Sequence, residues 1–131
     1  MLFIDTNVPM YLVGAPHPLK TRAAYLLEHA ARNGERLVTD AEVFQEILHR
    51  YAAINRRDGI QPAFDVLSHV IDEVFSIDGD VVEIAKATVL AYPTLSARDA
   101  IHVATMRQHG VVQILSFDAG FDRVPGLTRL S

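Results

Sequence analysis

Short, almost continuously apolar runs recur along this chain, and longer segments with helical spacing separate them. Met1–Asp5, Leu37–Thr39, Val74–Ile77, Val111–Ser116 and Leu127–Leu130 read as strands. Leu19, Ala23, Leu26, Leu27, Ala30 and Ala31 trace one face of a helix that stops at Asn33-Gly34. Phe44, Ile47, Leu48 and Tyr51 mark the apolar stripe of a helix from about Ala41 to Asn55. After the turn signal Asp58-Gly59, another stripe follows at Ile60, Phe64, Leu67 and Ile71, with Pro62 near its start. Asp80 and Glu83 have capping-box spacing for a helix reaching about Tyr92, and Ser96 opens a last helix that ends before Gly110. Strands that lack polar alternation are buried on both faces, as parallel crossovers require. The expectation is an α/β fold with a central, mainly parallel sheet flanked by helices.

The 131 residues show no linker, repeat or low-complexity tract, so residues 1–131 are expected to form a single domain. Without cysteine there is no disulfide framework and no thiolate metal site. No apolar stretch approaches the ~18 residues of a spanning helix. Asp5 interrupts the first apolar run with no basic segment before it, so neither a secretory leader nor a membrane role is expected. The expected location is the cytoplasm. Twelve basic and sixteen acidic residues leave a net charge of −4, which argues against a general polyanion-binding surface. Four clustered carboxylates would account for that excess, however, and bound divalent cations would reverse the local field.

Carboxylates stand at telling places. Asp5 and Asp118 each follow a strand end, where parallel sheets bind ligands, although aspartate also suits an ordinary turn there. Asp99 lies three residues after Ser96, and on spacing alone a helix-capping role is the stronger reading. Thr39 and Glu42 share the same spacing, which assigns Glu42 to the start of its helix. Glu46 has no such duty; its ordinary partner would be Arg50, one turn on. That makes Glu46 the better ligand candidate of the two.

Other chemistries find less support. The six histidines lack paired-ligand spacing and read as surface or half-buried residues; Arg98 and His102 flank Asp99 and could orient it. Thr6 and Ser116 have no evident base, which leaves a hydrolase triad unsupported, and no glycine-rich phosphate loop is present. A dehalogenase-like phosphatase needs a second aspartate where Asn7 stands. A receiver domain needs a late lysine, and the only lysines are Lys20 and Lys86.

Four segments together resemble a PIN-domain ribonuclease, specifically a VapC-type toxin of a toxin–antitoxin pair. They are Phe3-Ile4-Asp5-Thr6-Asn7, Glu46-Ile47-Leu48, Arg98-Asp99-Ala100-Ile101-His102-Val103-Ala104, and Ser116-Phe117-Asp118 with Gly120-Phe121-Asp122. The resemblance covers nearly the whole chain. It implies a three-layer, Rossmann-like fold in which Asp5, Glu46, Asp99 and Asp118 hold Mg²⁺ or Mn²⁺ for hydrolysis of RNA. It also implies supporting roles for Thr6, Asn7, Ser116 and Asp122, a homodimer, and a VapB-type antitoxin that covers the site. The one departure from the family pattern is Asp40-Ala41, where a Ser or Thr helix start is common; little chemical consequence is expected. A catalytically silent PIN-like binding domain is the alternative reading.

Overall fold

The computed structural model describes every residue from Met1 to Ser131. Five parallel strands form one sheet: β1 (Leu2–Ile4), β2 (Leu37–Asp40), β3 (Glu73–Phe75), β4 (Gln113–Leu115) and β5 (Thr128–Leu130). Their order across the sheet is β3-β2-β1-β4-β5. Six helices connect and cover them: α1 (Asn7–Val13), α2 (Pro18–Arg32), α3 (Ala41–Ala53), α4 (Ile60–Val70), α5 (Gly79–Ala91) and α6 (Ala97–Gln108). Short 3₁₀ turns occupy Arg57–Gly59 and Ala119–Arg123.

The central strands are apolar throughout because both faces are covered. Leu2, Phe3, Ile4, Ile114 and Leu115 are buried, and they join Val38, Ile47, Leu67, Val103 and Met106 in one core. From β1 the chain steps outward to β2 and β3, then returns through α5 and α6 to β4 on the other side of β1. The direction of strand addition therefore reverses between β1 and β4. Such reversals open a crevice at the carboxyl ends of the strands. Ile4 pairs with Leu115 there, so Asp5 and Ser116 emerge side by side.

Several local expectations need correction. Helix α1 carries no long apolar stripe and went unread, since it spans only seven residues and contains Pro9. Thr39 does not cap α3. Its hydroxyl donates to the Ile4 carbonyl, and Asp40 accepts from the Val43 N–H instead. Asp78, not Asp80, caps α5, accepting from the Val81 N–H. Leu48 is exposed, and the buried face of α3 is set by Val43 and Ile47. The expected stops hold: Gly34 and Gly110 follow α2 and α6 with φ of +70° and +69°, a left-handed conformation that costs glycine little.

Candidate metal centre

The end of β1 places Asp5 in the crevice with only 4% of its surface exposed. A carboxylate so deep needs compensation from its neighbours. One oxygen accepts the Thr6 N–H at 2.8 Å; the other accepts the Ser116 hydroxyl at 2.6 Å and the Asn7 amide at 3.4 Å. Ser116 is itself saturated, because its oxygen accepts from Asn7 Nδ2 and from the Asp118 N–H. Asn7 closes the ring by accepting from the Phe117 N–H. The start of α1 and the end of β4 are thus joined around a single carboxylate.

Glu46 reaches the same place from the second turn of α3. Its Oε2 accepts the Thr6 hydroxyl at 2.5 Å, while Arg98 and Arg50 stand 3.8 and 4.0 Å from Oε1. Asp99 approaches from the first turn of α6. Ser96 Oγ accepts the Asp99 N–H at 3.1 Å, so the expected cap exists. The Asp99 carboxylate takes no part in it and has no hydrogen-bond partner, which leaves it free for the crevice. Asp118 accepts the Gly120 N–H and remains exposed at the rim. Asp5, Glu46, Asp99 and Asp118 all line one cleft of about 390 Å³, together with Thr6, Asn7, Arg50 and Arg98. Ser116 lies just beneath it. Asp122 is elsewhere, in a two-pronged ion pair with Arg129 at 2.8 and 2.9 Å. It touches the site only through Arg129, which also donates to the Ser116 carbonyl.

His102 overturns the surface reading of the histidines. It is fully buried on α6, against Phe3, with Nδ1 2.9 Å from Asp40 Oδ2. Its Nε2 has no hydrogen-bond partner and stands 3.8 Å from Glu46 and 3.9 Å from Asp5. Asp40 therefore matters to the site, contrary to expectation: it holds the ring that faces two of the four acids. Because Asp40 accepts from Nδ1–H, a neutral ring would aim a bare lone pair at two carboxylates. Burial alone would push this imidazole down. The charge and hydrogen bond of Asp40, with Glu46 and Asp5, more than reverse that and hold it well above its ordinary value.

The acids respond differently to this environment. Burial raises Asp5 despite the imidazole, the Ser116 hydroxyl and the Thr6 N–H. Glu46 is also penalised by burial, yet the imidazole, the Thr6 hydroxyl and Arg50 bring it to about 2. Asp99 is pushed up to about 7, first by burial and then by the charge of Asp5, only partly relieved by His102. Carboxylate oxygens of this kind suit hard divalent cations; Asp5, Glu46 and His102 each bring one polar atom within 4.8 Å of one another, and the charged imidazole faces the two carboxylates with an N–H rather than a lone pair.

Comparison with known proteins decides the family. The PIN domain family matches residues 2–127. This chain belongs to it. Within that family the PIN domain is 57% identical, over the full length of both chains, to ribonuclease VapC13 of Mycobacterium tuberculosis and to a VapC ribonuclease of Mycobacterium bovis. Two solved structures share the fold. VapC20 of M. tuberculosis, described as a sarcin-ricin loop cleaving toxin, superposes with a TM-score of 0.75 at 22% identity, covering 95% of each chain. VapBC2 of Rickettsia felis, bound to promoter DNA, gives a TM-score of 0.75 at 12% identity, covering 99% of this chain and 98% of that one. No helix of this PIN domain is long and apolar enough to cross a membrane.

Two residues of the PIN domain's site escaped sequence reasoning. Asp40 looked like part of a helix start, and His102 like one flank of Asp99. Their only sequence signal was position, since Asp40 ends a strand beside β1 and His102 lies one helical turn beyond Asp99.

Proposed function

We propose that the chain is a metal-dependent endoribonuclease, a VapC-type toxin that hydrolyses RNA phosphodiester bonds. One observation carries this reading: four carboxylates line a single cleft at the reversal of an all-parallel sheet. Asp5, Glu46, Asp99 and Asp118 would hold Mg²⁺ or Mn²⁺, and the Asp99 carboxylate, which has no hydrogen-bond partner of its own, fits a site built to receive a cation. Such an ion, when bound, neutralises phosphate and activates water. The chain's own part is to fix the geometry. Thr6 and Ser116 spend their hydroxyl protons on Glu46 and Asp5, so each carboxylate is oriented before any ligand arrives. Arg50 and Arg98, at the cleft wall, offer positive charge to the phosphate oxygens. Attack of a water oxygen on phosphorus in line would form the new P–O bond as the bond to the leaving oxygen breaks, the water giving up a proton to solvent and the leaving oxygen taking one up.

The VapC relatives support the RNA substrate, and the VapBC complexes among the structural neighbours support an antitoxin of the VapB type. An RNA substrate places this action in the cytoplasm. Residues 1–131 would act as one domain and pair as a homodimer. Purified protein is expected to cut total RNA only with Mg²⁺ or Mn²⁺. Asp5→Asn and Asp99→Asn should abolish cutting while keeping the wild-type circular dichroism spectrum. Full activity in either variant, or in excess chelator, would defeat the mechanism. A failure to bind Mn²⁺ by calorimetry would favour a silent binding domain instead.

A further inference from the structure

A second pocket of about 370 Å³ adjoins the acidic cleft, and Asn7 and Arg50 belong to both. Its character is the opposite of its neighbour's. It contains no carboxylate, and Met10, Tyr11, Pro16, His17 and the backbone of Gly14 line it. The volume falls in the range of small-ligand pockets, roughly 300–1,000 Å³.

The aromatic wall is braced from behind. Tyr11 packs edge-on against Phe117 at 5.6 Å, while the exposed His17 ring lies 5.0 Å from it at a tilt of 34°. His17 Nδ1 accepts the Leu19 N–H, which fixes the ring and leaves Nε2 available. Lys20 ties the Gly14 carbonyl from below at 2.9 Å, steadying the turn that carries this wall. Arg50 marks the boundary between the pockets. Its guanidinium lies 4.0 Å from Glu46 on one side and 4.0 Å from the Met10 sulfur on the other.

A polyanion leaving the acidic cleft in this direction thus meets an arginine and then planar rings with unused polar atoms. That order of groups suits a single-stranded nucleotide, whose phosphate pairs with a guanidinium and whose base stacks on an aromatic face. We propose that the Tyr11–His17 pocket is the subsite for the nucleotide next to the scissile phosphate. The base stacks on the Tyr11–His17 wall, its edge meets His17 Nε2 or the Tyr11 hydroxyl, and Arg50 holds the intervening phosphate. The subsite rests on the ribonuclease reading above and adds to it which residues choose the base.

The test uses the full chain with 5′-AMP and 5′-UMP as probes, followed by amide NMR in Mg²⁺. Saturable shifts are expected at Gly14, Ala15 and His17, and they should vanish in Tyr11→Ala. The cleavage site is then mapped in total RNA, and an oligoribonucleotide spanning it is the substrate. Tyr11→Ala should raise KM by about tenfold or more, the usual order for losing one stacked base. Tyr11→Trp should restore KM, which a purely structural loss would not allow, and Mn²⁺ affinity should stay unchanged throughout. His17→Ala, on an exposed residue, should raise KM without unfolding the protein.

Absent nucleotide shifts, or wild-type KM in both Tyr11→Ala and His17→Ala, overturn the subsite while wild-type cleavage leaves the ribonuclease reading standing. Unchanged cleavage with weakened retention of a co-expressed antitoxin would assign the pocket to that protein and equally overturn the proposal. Wild-type protein that binds Mn²⁺ but cuts no RNA overturns the underlying reading, and the subsite with it.

Discussion

The floor and the rim of the acidic cleft are built on opposite principles. On the floor, Asp5 and Glu46 are tied down by Thr6, Ser116 and Asn7, and they face a buried imidazole clamped by Asp40. On the rim, Asp118 spends one oxygen on a local turn and the Asp99 carboxylate has no hydrogen-bond partner at all. Satisfied carboxylates stiffen a site, whereas burial and the neighbouring charge of Asp5 push the unpaired Asp99 up to about 7. The floor is therefore organised by its own hydrogen bonds, whereas the rim leaves carboxylate oxygens without protein partners.

The largest test of this contrast is His102→Ala. Removing the ring strands buried Asp40 and leaves Asp5 and Glu46 without their positive neighbour, so a loss of about 3–5 kcal/mol is expected in urea denaturation. An unchanged midpoint would mean that the imidazole does not hold the floor together. Asp99→Asn should behave in the opposite way. The metal-free variant is expected to be at least as stable as wild type at pH 8, while Mn²⁺ affinity falls by roughly 10–100-fold or more by calorimetry. A variant clearly less stable than wild type would show that the rim carboxylate is structurally paired after all.

The same contrast has a pH signature. Asp99, raised to about 7, favours the folded metal-free protein below its unfolded value, and that contribution is lost as pH rises through about 7. His102, also raised, acts in the same direction. Glu46, lowered to about 2, contributes above its unfolded value and loses that contribution as pH falls toward 2. Metal-free protein should accordingly melt at a lower temperature at pH 8 than at pH 5, and Asp99→Asn should shrink the difference. Mn²⁺ binding should strengthen with pH up to about 7, by at most about tenfold per pH unit for one displaced proton. Binding that does not vary between pH 5 and 7 would contradict a protonated rim. The smallest effect is expected for Ser96→Ala. It removes the cap beneath Asp99 at a cost of about 1 kcal/mol, read as a lower melting temperature with Mn²⁺ binding retained.

Much of this molecule was legible before its structure. The apolar runs at Leu2–Ile4 and Gln113–Leu115 become the two central strands because a strand buried on both faces needs no alternation. Asp5 and Asp118 could be placed at the carboxyl ends of the sheet for the same reason, since each follows such a run. Comparing Glu42 with Glu46 singled out the glutamate that lines the cleft, but through a wrong premise. Glu46 lines the cleft, yet the cap that set Glu42 aside belongs to Asp40, because the Thr39 hydroxyl is committed to the Ile4 carbonyl across the sheet. Helix α1 was invisible, because seven residues with a proline offer too few turns for a periodic signal.

What sequence determined by itself were most of the elements and their parallel sheet, which depend on spacing within a few residues; it offered Asp5, Glu46 and Asp118 as candidate ligands, and only the resemblance to a family added Asp99. Tertiary structure decided the rest. It placed Asp40 on His102 across 62 residues of chain and Ser116 on Asp5 across 111. Whether a buried polar group is satisfied depends on neighbours that only folding supplies, and spacing along the chain carries no record of them. The same holds for the division into floor and rim, for Asp5, Glu46 and Asp99, carboxylates of similar intrinsic acidity, titrate apart only once the fold surrounds each of them differently.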